Sequence, residues 1–141
     1  MIIDNMKVKD FMSGGVCSVK PETSLEEVAK QMRKIDTGVI PVCNDKEEIL
    51  GIITDRDIVI RYLGSGREIY SAGEIMSQNV ISVPQDMNIH DAALLLSHYK
   101  IRRLPVTSGN RLVGILSVSD IARHTVMADE AGDIMLALSK P

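Results

Sequence analysis

The chain repeats itself. Met12 returns as Met76, and the same spacing relates Val16 to Val80, Ser18 to Ser82, Val19 to Val83, Leu25 to Ile89, Ala29 to Ala93, Met32 to Leu96, Pro41 to Pro105 and Val42 to Val106. One residue is lost in the following turn, after which Gly51 answers to Gly114, Asp57 to Asp120 and Ile58 to Ile121. A match this long is an internal duplication, and it limits the fold to two like units of one supersecondary pattern. A copy of roughly 55 residues buries too little surface to be more than marginal alone. Two copies packed sheet to sheet would cover each other.

Periodicity supplies the pattern. Val16-Cys17-Ser18-Val19 and Val80-Ile81-Ser82-Val83 read as short extended pieces that end near Pro21 and at Pro84. Thr23 with Glu26, and Ser24 with Glu27, form overlapping capping boxes ahead of Leu25, Val28, Ala29, Met32 and Ile35, the spacing of a one-faced helix. The twin helix carries Ile89, Ala92, Ala93, Leu96 and Tyr99, with Asn88 as its cap. Val39-Ile40-Pro41-Val42 and Leu104-Pro105-Val106 read as strands whose proline predicts an edge or a strand start. Polar turns at 44–48 and 108–110 lead to strands over 49–53 and 112–116, and then to a closing helix. The expected class is α+β: a β-α-β-β-α unit, duplicated. The copies span 7–63 and 72–125, joined by a polar linker at 64–71 that contains Gly64-Ser65-Gly66-Arg67-Glu68. A tail at 126–141, with Ile134, Met135, Leu136 and Leu138, suits a further helix that caps the core or meets a partner.

Gly51-Ile52-Ile53-Thr54-Asp55-Arg56-Asp57-Ile58 and its echo Gly114-Ile115-Leu116-Ser117-Val118-Ser119-Asp120-Ile121 are where chemistry is to be sought. Glycine permits close backbone approach. A hydroxyl and a carboxylate then sit at a helix start, near the surface, among N–H groups that favour an anion. Such a site suits a phosphorylated sugar, with Thr54 or Ser117 near phosphate and Asp57 or Asp120 accepting from ribose hydroxyls. The same residues also make a capping box that needs no ligand.

With one Phe, three Tyr and no Trp, the core must be aliphatic, and a ligand ring would have to lie between aliphatic side chains. The net charge of −3 argues against nucleic acid as a partner. No apolar run is long enough to span a bilayer, and Met1-Ile2-Ile3 meets a charge at Asp4 rather than opening a signal peptide. Cys17 and Cys43 lack a Cys-x-x-Cys spacing and the three histidines are scattered, so reduced thiols in a cytoplasmic protein without a metal are expected. No nucleophile with a nearby base and no Gly-Lys-Thr/Ser loop points to an enzyme.

The duplicated Gly-x-x-Thr/Ser-x-x-Asp element, the hydrophobic-Pro-Val strands and the β-α-β-β-α order resemble a tandem of cystathionine β-synthase-type (CBS) domains, the pair known as a Bateman module, over about residues 7–125. The resemblance implies two facing sheets with outer helices, and two clefts between the copies that bind adenosine nucleotides in many members. It implies ligand contacts at Thr54, Asp57, Ser117 and Asp120, with Arg56, Ser119, Arg102 and Arg103 near phosphate. Ser18, Val19, Ile40, Ser82, Val83 and Leu104 complete the implied ligand-binding set. Gly38 and Val39 stand in the first copy where the second has Arg102 and Arg103, so the two sites cannot be chemically alike. The expected function is a stand-alone regulatory protein that senses AMP, ADP or ATP as a ligand, requires no cofactor, forms a homodimer through uncovered apolar helix surface and signals through a protein partner or its own dimer. The alternative is a structural or interaction scaffold of the same fold, in which the motifs are only caps.

Overall fold

The computed structural model describes residues 5–124 and 128–140; Met1 to Asp4, Thr125 to Met127 and Pro141, on which the N-terminal reading and the start of the tail fall, lie outside the described residues. The fold is mixed α+β with two small sheets, and it sorts into two compact units. One is Cys17–Val80; the other joins Met1–Val16 to Ile81–Pro141.

The Cys17–Val80 unit opens with Val19, which makes a single parallel bridge to Val42. Helix α1 (Leu25–Ile35) starts at Ser24, whose Oγ accepts from the Glu27 amide at 3.2 Å. Of the two overlapping boxes Ser24 is the cap; the Thr23 hydroxyl instead closes the preceding turn on the Lys20 amide. Leu25, Val28 and Met32 turn inward, while Ala29 and Ile35 remain exposed. Strands β1 (Val39–Cys43) and β2 (Ile49–Thr54) pair antiparallel across a turn in which the Asn44 carboxamide accepts from the Lys46 and Glu48 amides. The closing helix begins as α2 (Asp55–Asp57) and continues as a π-helical stretch, Ile58–Leu63, that ends when the Gly64 amide donates to the Val59 carbonyl. Ile58 and Tyr62 pack on the core; Val59, Ile60 and Leu63 face outward. After the linker comes α3 (Ala72–Ile75), with Ala72 and Ile75 in the same core.

The other unit repeats this plan. Strand β3 (Val83–Pro84) runs parallel to β4 (Arg103–Ser108), which pairs antiparallel with β5 (Arg111–Ser117). Helix α4 (Ile89–Tyr99) is capped by Asn88 Oδ1 on the His90 amide and buries Ile89, Ala92, Ala93 and Leu96. Helix α5 (Val118–Ala122) follows β5, and the tail supplies α6 (Ala128–Ser139), which docks on α4 and α5 through Ala131 and Ile134.

One expectation is corrected. Pro105 is at neither an edge nor a strand start: β4 is the central strand of its sheet. Pro105 faces Ile115, whose N–H and C=O are both bonded to Ser13 on the far side, so β5 asks nothing of the missing proline N–H. Pro41 is tolerated likewise, opposite an Ile52 that exchanges both bonds with Ser77.

Those outer bonds show what the motif glycines are for. A Cβ at Gly51 would stand 2.7 Å from Met76 Sδ and 2.8 Å from the Ser77 carbonyl; one at Gly114 would stand 2.5 Å from Met12 Sδ and 2.9 Å from the Ser13 carbonyl. The opening segment of each copy thus packs on the motif strand of the other copy. Backbone lies in the way as well as flexible sulfur, so Gly51→Ala or Gly114→Ala should cost about 1–3 kcal/mol by overpacking. Gly14→Ala, where an added Cβ meets nothing within 4 Å, should change stability by less than about 0.5 kcal/mol. Urea unfolding midpoints check both.

The cysteines are free. Burial pushes the Cys43 thiol above its ordinary range, partly offset by a hydrogen bond from Ser18 and the charge of Lys20. Its thiolate is therefore scarce at neutral pH as well as shielded. Labelling of the native protein with an aromatic disulfide should modify half-buried Cys17 first, and Cys43 only as the unit opens.

Candidate functional site

Both motifs fold into reciprocal capping boxes. Thr54 Oγ1 accepts from the Asp57 amide at 3.1 Å, and Asp57 Oδ2 accepts from the Thr54 amide at 3.0 Å. In the second copy Ser117 Oγ and Asp120 Oδ2 make the same pair of bonds at 3.0 and 2.9 Å. The N–H groups thought free to meet an anion at these positions are occupied. Each carboxylate also has an arginine on its remaining oxygen: Arg123 Nη1 lies 2.9 Å from Asp120 Oδ1, and Arg61 Nη1 lies 4.0 Å from Asp57 Oδ1. The i,i+3 and i,i+4 spacings of these pairs were visible in the sequence. Asp120 is not near the surface, being only 4% exposed; Asp57 keeps more contact with solvent.

The remaining candidates fall into two groups. Val19, Ile40, Val83 and Leu104 are buried in the cores, Ile40 and Leu104 completely. Ser18 and Ser82 are exposed beside the short extended pieces, Ser18 with its hydroxyl on Cys43. Arg56 is exposed at the start of α2, its amide donating to Asp55 Oδ1.

In the second copy the structure brings Arg102, Arg103, Ser117 and Ser119 together. They line an open cavity of about 470 Å³. Backbone pairing fixes them, because the Val118 amide donates to the Arg102 carbonyl at 3.0 Å and Arg103 pairs with Ser117 across the β4–β5 ladder. Val118 and Ala122 from α5 continue the lining, and Ala131, Gly132 and Met135 of α6 close it. Sequence reasoning missed the α6 wall, since nothing in a local pattern says where a tail helix docks. Two arginines and two serines together with the aliphatic surface of Val118, Ala122, Ala131 and Met135 suit an anion that carries an uncharged moiety.

The first copy is built differently at the same place. The Asp55 amide donates to the Gly38 carbonyl, as Val118 does to Arg102, but the Asp55 carboxylate folds back over Gly38. A Cβ there would meet Asp55 Oδ2 at 2.9 Å. A carboxylate thus stands over the position from which Arg102 projects in the second copy. Among the described residues no cluster of three or more His, Cys, Asp or Glu converges on a metal position, and no helix is long and apolar enough to cross a membrane.

Comparison with known proteins agrees with this plan. The chain is 37% identical over 118 residues to Hypoxic response protein 1 of Mycobacterium tuberculosis, covering 82% of each chain. Its fold matches the structure of CBSX2 in complex with AMP at a TM-score of 0.77, with 28% identity over 87% of this chain and 98% of the other. It matches the CBS domain pair of MJ0100 in complex with 5′-methylthioadenosine and S-adenosyl-L-methionine at 0.75, with 31% identity over 84% and 94%. The CBS domain family model fits residues 8–64 and again residues 72–126. The chain belongs to the CBS domain family and carries its domain twice.

Proposed function

We propose that this protein is a regulatory CBS pair that binds an adenosine nucleotide at its second-copy motif and reports the bound state to a partner. The observation that carries the reading is the convergence of Arg102, Arg103, Ser117 and Ser119 on one cavity. AMP, methylthioadenosine and S-adenosylmethionine in the related structures support an adenosine ligand. Charge ranks the sites: two cations border the second, whereas Asp55 stands over Gly38 in the first. The second copy is therefore the tighter site and gains more from added phosphates. Self-association fits the outward apolar residues of the first copy's closing helix, where Val59 is 58% and Leu63 68% exposed. A two-fold contact between such surfaces is the commonest way to cover them.

The scaffold reading has an observation of its own, because the capping boxes engage both motif carboxylates. Thermal unfolding with AMP, ADP and ATP separates the two. A ligand at a hundred times its Kd stabilises the native state by about 2.7 kcal/mol, so ATP should raise the melting temperature of the parent protein. Charge-assisted hydrogen bonds contribute about 1.5–3 kcal/mol each. Arg102→Ala or Arg103→Ala should therefore weaken ATP about tenfold or more, with a smaller loss for AMP. A parent protein indifferent to all three nucleotides is a scaffold. Asp120→Ala is a poor probe, since it breaks the capping box at the start of α5 and so lowers stability by itself. Light scattering of the parent protein should give twice the chain mass, and Leu63→Asp should return it to the monomer.

A further inference from the structure

Helix α6 lies beyond the part of the chain that the family model covers, which ends at residue 126. Its sequence divides into three stripes. Ala131 and Ile134 are buried in the core of their unit, with Leu138 packed against it. One position on, Gly132 and Met135 face the cavity that holds Arg102 and Arg103. On the opposite flank Glu130 and Asp133 face a smaller cavity against α4, where His90 Nδ1 lies 3.2 Å from Glu130 Oε1. The helix is thus held from two sides with one stripe turned to the candidate ligand site.

Gly132 is not required by packing. A Cβ there would meet nothing within 4 Å, unlike the crowded Gly51 and Gly114. A glycine inside a helix lowers helix stability relative to alanine, and here its bareness keeps space open opposite the arginines. Met135 beside it is 49% exposed, although its neighbours Ala131 and Ile134 are buried. A thioether on a flexible stem adapts to an irregular or planar apolar surface.

We propose that α6 is the selectivity wall of the second-copy site: Gly132 leaves the room, and Met135 supplies the cover, for the uncharged moiety of a ligand whose anionic end is held by Arg102 and Arg103. This rests on the nucleotide-binding reading above, and it assigns the recognition of the base to residues outside the repeats. Calorimetric titration of the full-length chain with AMP, ATP and inorganic tripolyphosphate tests it. Gly132→Leu and Met135→Ala should each weaken AMP and ATP about tenfold, while tripolyphosphate, which has no base to cover, binds as to the parent. Leu136→Ala, one residue from Met135 on a position 63% exposed and outside the cavity lining, should change nothing. If both wall variants keep parent affinity for AMP and ATP while Arg102→Ala loses it, α6 is no part of the site. If Gly132→Leu misfolds, Met135→Ala decides alone. A parent protein that binds none of the three probes overturns the nucleotide reading and this one with it.

Discussion

The contact on which most of this structure depends is the bare Cα of a motif glycine against a crossing backbone. At Gly51 and at Gly114 the crossing segment is bonded to the neighbouring isoleucine in both directions, through Ser77 and Ser13. A side chain would push that segment off the sheet edge. The consequence is topological. Because Met12 and Ser13 open the first copy but lie on the second copy's strand, and Ser77 of the second copy lies on the first copy's strand, neither copy is complete without the opening segment of the other. Covering an outer strand in this way also removes an open edge that would otherwise invite pairing with another molecule.

On the proposed reading the same glycine-to-aspartate stretch has to serve both folding and binding. In each box one carboxylate oxygen takes a backbone N–H and the other faces an arginine. A buried carboxylate is tolerable only when its lone pairs are met, and Asp120 meets that demand within its own turn. What remains for a ligand in the second copy is the rim: two exposed guanidinium groups and the hydroxyl residues Ser117 and Ser119. On the proposed reading, affinity built from these exposed cations is screened by salt and grows with the charge of the anion.

Much of this was legible in the sequence, and the limits have physical causes. The duplication, both long helices, the Asn88 cap and the paired strands follow from patterns only a few residues long, which local chemistry enforces. Pro105 misled because an edge position is one way to excuse a missing N–H, and a non-hydrogen-bonded register is another; register is set by the partner strand. The burial of Asp120 was hidden for a similar reason, since a carboxylate at a helix start says nothing about what packs over it. The α6 wall was out of reach because tertiary docking placed it, not its own periodicity.

Duplication gives two sites of one design, and substitution then separates them. In the second copy, Val118 holds a place where the first has Asp55, and Arg102 a place where the first has Gly38. The two changes are coupled by geometry. The Asp55 carboxylate occupies the space above Gly38 that any side chain there would need. Replacing Gly38 with arginine alone would make the exposed Asp55 carboxylate turn aside, and replacing Asp55 alone would leave an uncharged gap. The pair of changes removes that overlap, with Val39 still standing where the second copy has Arg103. The asymmetry leaves two arginines in the second copy where the first has a glycine under a carboxylate and a valine.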